Sequence, residues 1–354
     1  MNTLSGILQL VIAISALIVL HELGHFIVAR LMGIEVEEFG LGYPPRALTL
    51  FEAGGTKFTL NWLPLGGFVR PKGENNPDIE GGLAASKPLK RISVYFAGPL
   101  MNILAGVILY TIIFSRLGTP DTSKVLVLEV VDNSPAAVAG LETGDQLLQV
   151  NNIEVDSTLT LHEAIYDNLG EEISLTYERD GTTNTINLVP REDPPKNEGA
   201  IGILMGNPTT PVSWIEALPT GFSATGEHIY TLVTLPAQVA RGTISGEDAR
   251  LVGYKGMYDI YQEVREQEPI PGTSGNINVL GFFTTITLSL GILNLMPIPA
   301  LDGGRILFTL PELLFRKRIP PEFENWVNLI SFTLLIGLFI YINILDFTNP
   351  IQLP

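Results

Sequence analysis

Two histidines and a glutamate lie within a long apolar stretch near the start of the chain. No side chain in residues 10–20 carries a charge, and the motif His-Glu-Leu-Gly-His occupies residues 21–25. Because positions i and i+4 share one face of a helix, His21 and His25 are expected to reach the same metal ion, with Glu22 beside them as a base for an attacking water. Ionisable side chains are costly at membrane depth and mark functional sites. The stretch therefore predicts a membrane-spanning helix with a zinc site, the alternative being histidines that pair only with backbone carbonyls.

Composition fits an integral membrane protein that also has a soluble part. Of the 354 residues, 46% are hydrophobic and only 16% are charged. The chain contains no cysteine, which excludes disulfides, thiolate zinc ligands and cysteine nucleophiles, so histidine and carboxylate groups must hold any zinc. The net charge of −16 is concentrated between Arg116 and Gly275. An acidic soluble segment argues against nucleic acid as a partner, because nucleic acid requires a basic surface.

Four apolar segments are long enough to cross a bilayer as helices, given about 20 residues per crossing. The predicted spans are residues 1–32, 91–115, 276–305 and 326–347. In the second span, Gly98-Pro99 predicts a kink or an unwound point. Residues 1–20 lack the basic start and small-residue cleavage site of a signal peptide, so we interpret them as part of the first span.

The distribution of Lys and Arg predicts the orientation of these spans. The connection from Arg30 to Arg91 contains eight basic residues. Four more lie in or directly before the connection at residues 306–325, namely Arg305, Arg316, Lys317 and Arg318. Since basic connections stay in the cytoplasm, the acidic segment and both termini are predicted to lie outside, and the histidine motif lies toward the cytoplasmic side.

The third span ends in a sequence suited to a further metal ligand. Pro297 and Pro299 break the helix, and broken backbone at membrane depth is tolerated only where it is buried in protein or lines a watery cavity. Asp302 follows the break at a depth comparable with that of His25, so we predict it as the third ligand, with the fourth position left for water. Taken alone, these residues would only end a span and turn the chain. Asn294 is interpreted either as a hydrogen-bond donor to the scissile carbonyl or as a contact between helices.

These motifs together resemble the site-2 protease family of intramembrane zinc metalloproteases. The resemblance rests on the motif at residues 21–25 and on Asn-x-x-Pro-x-Pro-x-Leu-Asp-Gly at 294–303, and it extends to residues 64–69 and 97–102. It implies a Zn²⁺ site formed by His21, His25 and Asp302, with Glu22 as the catalytic base. It also implies Asn102 and Asn294 as candidates for contact with the substrate or its oxyanion.

The family resemblance implies an endopeptidase of the bacterial plasma (inner) membrane. Its substrates would be single-span membrane proteins cleaved inside the bilayer, as in regulated intramembrane proteolysis of anti-sigma factors or signal-peptide remnants. The alternative is a catalytically inactive membrane-embedded scaffold of the same fold. A membrane-anchored protease acting on soluble proteins is opposed by the apolar flanks of the motif, and only the broken spans suggest a transporter.

Residues 33–90 are predicted to contain a β-hairpin. Residues 47–51 and 58–63 are strand-like and flank the turn at residues 52–56. The family resemblance implies that this hairpin dips into the membrane and that its edge can pair with an unwound substrate, a simple cytoplasmic hairpin being the alternative. Whether residues 33–42 pair with it is left open.

Residues 120–193 are predicted to form one inserted extracytoplasmic α+β domain that resembles a PDZ domain of the bacterial protease-associated type. The pattern indicates a strand from Val125, helices at 134–141 and 159–169, and a hairpin turn at Asp180-Gly181. PDZ domains bind extended chain ends by adding a strand to a sheet edge, so this domain is expected to contact the substrate ectodomain or a chain end.

Residues 194–275 are predicted to contain an amphipathic helix over residues 212–241. It would lie on the outer membrane face or against the spans, or else pack beneath the inserted domain. The complete fold prediction is a polytopic α-helical membrane protein with about four transmembrane helices, a membrane-associated β-hairpin and one inserted PDZ domain. Membrane lipid is the other expected partner.

Overall fold

The computed structural model describes residues 3–195, 198–245, 249–267 and 276–350. The chain forms two compact units. Residues 1–113 and 214–354 make up one, which we call the helical unit, and residues 114–213 make up the inserted domain. Each unit has its own set of helices and strands.

Each of the four predicted apolar segments contributes a helix that is long and apolar enough to cross a membrane. These helices are α1 (Thr3–Leu31), α2 (Pro88–Leu117), α7 (Ile277–Leu295) and α9 (Pro321–Thr348). The predicted unwound point in the second span was wrong, because α2 continues through Pro99. Pro99 lies between two contacts with α1, because the backbone carbonyl of Val94 and the side-chain amide of Asn102 each meet the ring of a histidine on that helix.

The third predicted span is two helices rather than one. α7 ends at Leu295, and α8 (Asp302–Phe315) begins after a six-residue break. Pro297 and Pro299 lack the N–H groups that would continue the helix, which explains the break. The prediction that Asp302 belongs to the third span is therefore corrected: it is the first residue of α8, which occupies much of the predicted connection at 306–325.

In the region of the predicted β-hairpin, the chain forms two antiparallel strands, β1 (Val36–Ala53) and β2 (Thr56–Pro71), with a turn at residues 54–55. Residues 38–41 pair with 57–60 on one side and with 67–70 on the other, so part of the segment 33–42 does pair with the hairpin. The two long strands thus fold back on each other as four short segments, in the order 67–71, 36–41, 57–61 and 46–53.

The buried carboxylate of Glu38 stabilises this folded hairpin. It accepts hydrogen bonds from Arg46 at 2.8 Å, Thr59 at 2.9 Å and Arg70 at 3.1 Å. A buried charge is tolerated when it is paired and hydrogen-bonded in this way. The cluster joins both strands near the first span, which positions β2 beside α1.

The predicted amphipathic helix is α5 (Trp214–Ala240), and it packs against α2. Gly221 lies so close to α2 that an added Cβ would be 2.4 Å from Oγ1 of Thr111. Tyr110 and His228 hydrogen-bond at 2.7 Å along the same pair of helices. Of the predicted alternatives, contact with the spans is therefore the one observed within the helical unit.

A second helix of this region, α6 (Tyr254–Glu266), is attached to α9 by a buried carboxylate that no local pattern in the sequence identifies. Asp346 is 1% exposed and accepts from the backbone N–H groups of Gly253 and Gly256 at 2.8 and 3.0 Å. It also pairs with Arg250 at 2.7 Å. Asp346 thus neutralises a cation and caps the start of α6 at the same time.

The inserted domain has its own hydrophobic core and a sheet in which residues 182–188, 173–179, 146–150, 125–130 and 203–206 are neighbours in that order. Its helices are α3 (Pro135–Ala139) and α4 (Thr158–Tyr166), close to the predicted bounds. The strands are β3 (Thr119–Pro120), β4 (Val125–Val130), β5 (Gln146–Val150), β6 (Ile153–Glu154), β7 (Ile173–Arg179), β8 (Thr182–Leu188), β9 (Ile203–Gly206) and β10 (Thr209–Thr210).

The predicted end of this domain at residue 193 is too early. β9 pairs with β4, and β10 pairs with β3, so the compact unit extends to Ser213. β9 has only four residues and follows a long proline-containing loop. A strand that short has too few alternating positions to be identified by its period.

We expect the core of the inserted domain to depend on Leu161. Its side chain is 0% exposed, whereas that of Leu159 on the same helix is 64% exposed. Leu161→Ala should lower the free energy of unfolding of the domain by about 2–5 kcal/mol, because it leaves a cavity. Urea unfolding of residues 114–213 measures this, with Leu159→Ala as the matched control. Equal stability of the two variants would contradict the assigned core.

Candidate active site

The predicted metal ligands come together at one point of the helical unit. Nε2 of His21 is 3.1 Å from Oδ2 of Asp302, and Nε2 of His25 is 3.3 Å from the same oxygen. The two Nε2 atoms are 3.1 Å apart. Three ligand atoms within 4.8 Å of one another can surround a single ion. The structure therefore brings together the three residues that the sequence predicts as metal ligands.

Local backbone structure places each of these side chains. His21 and His25 are one turn apart on α1 and so project from the same face. Asp302 is brought to them by the break between α7 and α8, which is folded very tightly. An added Cβ at Gly303 would be 2.2 Å from the carbonyl oxygen of Met296, and only glycine fits that approach.

Gly98 of α2 keeps the space between the two histidines open. An added Cβ there would be 2.3 Å from Nε2 of His25 and 2.7 Å from Nε2 of His21. A side chain at this position would therefore occupy the place toward which both ligand atoms point. Two imidazole nitrogens, one carboxylate and a cleared space between them fit a zinc ion with one open coordination position.

The carboxylate of Glu22 is partly buried beside this cluster. Its Oε2 accepts a hydrogen bond of 3.0 Å from the backbone N–H of Val69 in β2. Gly67 of the same strand also lies close to the Glu22 side chain, 3.9 Å from its Cγ when measured from an added Cβ. Strand β2 thereby holds the Glu22 carboxylate next to the metal ligands, although Glu22 is not one of those ligands.

Two groups of α2 contact the ring nitrogens that face away from the cluster. Nδ1 of His25 donates to the carbonyl oxygen of Val94 at 2.7 Å. Nδ1 of His21 lies 3.2 Å from Nδ2 of Asn102. Val94, Gly98 and Asn102 are spaced by four residues, so one helix face supplies all three contacts. That spacing is the signal in the sequence that could have identified Val94 and Gly98.

The two asparagines predicted to contact substrate differ in their surroundings. Asn102 is 0% exposed and contacts the ring of His21 on α1 and the hydroxyl of Thr287 on α7, so the prediction that it contacts the substrate or its oxyanion is corrected. Its packing against the back of His21 is the physical reason. Asn294 is partly buried and donates to the carbonyl of Leu290 on its own helix at 2.9 Å. Its contact with a scissile carbonyl stays a prediction.

Comparison with known proteins gives matches over nearly the whole chain. The model of peptidase family M50 matches residues 9–338. A Clostridium perfringens protein named "Putative zinc metalloprotease CPE1693" is 32% identical over 343 residues, covering 96% of this chain and 98% of the relative. "Zinc metalloprotease RasP" of Shouchella clausii is 28% identical over 432 residues, covering 97% of this chain and 98% of the relative. Among solved structures, the PDZ domain of an SdrC-like protein from Listeria monocytogenes is 22% identical, with a TM-score of 0.21, covering 25% of this chain and 90% of that chain.

Proposed function

The chain belongs to peptidase family M50, and we propose that it cleaves peptide bonds within the transmembrane segments of single-span membrane proteins. It is a multi-pass membrane protein and a zinc metalloendopeptidase. The observation that carries the proposal is the place of the metal ligands. His21 and His25 lie on an apolar spanning helix, and Asp302 joins them from the broken end of another.

Each residue of the cluster has a proposed role in hydrolysis. His21, His25 and Asp302 would hold the zinc, and a bound zinc would supply Lewis acidity toward the scissile carbonyl and lower the pKa of the attacking water. Glu22 takes the proton of that water and passes it to the leaving amine. The Val69 N–H orients the Glu22 carboxylate for this transfer.

The β-hairpin supports a substrate that is extended rather than helical. Residues 67–71 pair with 36–41 along one edge, and the same segment faces α1 at Val69. A substrate strand beside this segment would bring a backbone carbonyl close to Glu22 and the metal ligands. Large apolar side chains of the hairpin are exposed in the isolated chain, as expected for a hairpin that enters lipid; they include Leu48, Phe51, Trp62 and Leu63.

The proposed orientation follows from charge. Basic residues cluster in the hairpin region and around α8, which places the active site toward the cytoplasmic side of a bacterial plasma membrane. The inserted domain would then be extracytoplasmic. In the described part of that domain, β9 pairs with β4 along one edge only, so its other edge is the proposed place where a substrate ectodomain or chain end adds as a strand. Such an arrangement suits regulated intramembrane proteolysis.

Cleavage of a model substrate in proteoliposomes tests this function. We expect a single-span protein with a shortened ectodomain to be cut between residues of its transmembrane segment, as mapped by mass spectrometry of the products. Zinc chelation should stop the reaction, because the cluster offers only histidine and carboxylate ligands.

Two outcomes would oppose the proposal. Cuts confined to soluble regions would indicate a membrane-anchored protease for soluble proteins. A chain that binds zinc but releases no product from any single-span substrate would favour the inactive scaffold. A soluble unfolded protein such as casein serves as the control substrate.

A further inference from the structure

Asn102 contacts the metal site from behind, in the interior of the helical unit. Its side chain is fully buried, and its Nδ2 is 3.2 Å from Nδ1 of His21. α7 closes the opposite side, where Thr287 donates to the backbone carbonyl of Asn102 at 3.3 Å. A side chain enclosed in this way can affect the reaction only through the residues that it contacts. Among those contacts, the ring of His21 is the proposed metal ligand.

The ring of His21 must be in one particular tautomer to bind a metal here. Its Nε2 faces both Asp302 and His25 at 3.1 Å, so Nε2 is the ligand atom. A neutral imidazole that offers the Nε2 lone pair carries its proton on Nδ1. Nδ1–H is then a buried donor, and a buried donor without an acceptor is costly.

The amide of Asn102 can supply that acceptor only through its oxygen. With Nδ2 toward the ring, two donors would face each other, while Oδ1 is buried without a partner among the described residues. The oxygen and nitrogen of an amide are assigned from their hydrogen bonds, since their shapes are almost the same. Rotating the amide by half a turn lets Oδ1 accept from Nδ1–H and removes the donor–donor contact.

We propose that Asn102 is a positioning residue whose Oδ1 accepts the Nδ1–H of His21 and so holds the ring in the tautomer and orientation that bind zinc. His25 has the equivalent arrangement, with Nδ1 donating to the carbonyl oxygen of Val94. One face of α2 therefore orients both histidine ligands. Metal-ligating histidines donate their second N–H to such acceptors, and losing the acceptor weakens metal binding or activity by about 10–100-fold.

Two substitutions at this position separate orientation of the ring from packing. Asn102→Leu keeps most of the volume and removes the acceptor, whereas Asn102→Asp keeps an acceptor oxygen. In the full-length protein in detergent, we expect the leucine variant to bind zinc about 10–100-fold more weakly, measured by competition with a chelator. The aspartate variant should lose less than about tenfold in affinity, because the loss of about 10–100-fold is expected only when the acceptor is missing.

A spectroscopic measurement adds a readout that packing alone would not change. With Co²⁺ in place of zinc, the visible absorption bands report the geometry of the ligands. We expect these bands to shift in Asn102→Leu and to be retained in Asn102→Asp. Thr287→Val is the matched control, because it removes the hydroxyl that donates to the Asn102 backbone and leaves the amide in place.

The proposal rests on the proposed function only in requiring a zinc site, and the two fail in different ways. Wild-type protein without zinc would overturn the function. Wild-type protein with zinc, and Asn102→Leu with equal affinity, would overturn this inference alone, as would an aspartate variant as weak as the leucine variant. If leucine prevents folding, Asn102→Ala supplies the same comparison without added bulk.

Discussion

Glu22→Gln should retain zinc and lose cleavage by about 10²–10⁴-fold, the range that a positioned general base contributes. The amide keeps the shape of the side chain and can still meet the Val69 N–H through its oxygen, so the fold near β2 should not change. It cannot take a proton from the attacking water. Metal content by mass spectrometry and cleavage rate of a single-span substrate measure the two effects separately.

The control for this change is Glu37→Gln, an exposed glutamate on β1 that is outside the metal cluster. It should cleave at the wild-type rate. Full activity of the Glu22 variant would contradict its role as base. Loss of zinc from that variant would instead show that Glu22 helps to hold the metal, and the division of roles between Glu22 and Asp302 would need revision.

Gly98→Ala should remove zinc from the protein, although it adds only one methyl group. The added Cβ would be 2.3 Å from Nε2 of His25, closer than side-chain atoms approach one another. Both ligand nitrogens would have to move aside, and a zinc site tolerates deviations of only about 0.2 Å. We expect the zinc content to fall from about one ion per chain to nearly none, with cleavage lost in parallel.

Gly281→Ala is the matched control, because this glycine lies on α7 and an added Cβ there meets no atom within 4 Å. It should keep both zinc and activity. Alanine also favours helix over glycine, so neither substitution should weaken its helix through propensity. A Gly98→Ala variant that binds zinc with unchanged affinity would contradict the assigned geometry of the site.

The spans and the ligands could be predicted because both follow from strong local patterns. Apolar length identifies a membrane helix, and a spacing of four residues puts His21 and His25 on one face. Basic residues then indicated a common depth, and Asp302 was the carboxylate that met it. In the structure, the side chains of His21 and Asp302 are 3.1 Å apart although the two residues are far apart in sequence.

The features that the sequence did not predict depend on contacts between distant segments. The sequence predicts a kink or an unwound point at Gly98-Pro99, whereas in the structure Gly98 leaves space for the Nε2 atoms of two histidines on α1. The family resemblance implies that Asn102 contacts the substrate or its oxyanion, and its burial behind His21 cannot be recognised from the sequence of a single helix. β9 was missed because four residues become a strand only by pairing with β4.

The face of α2 at residues 94, 98 and 102 has a consequence for how this span tolerates change. Its three contacts lie along a line on the helix, and each residue inserted into a helix rotates all later residues by about 100°. An insertion between Val94 and Asn102 would leave the span as apolar and as long as a membrane requires, yet it would turn the later contacts away from the histidines. For the function of this helix, the rotational position of residues 94, 98 and 102 about the helix axis is therefore a stricter requirement than hydrophobicity.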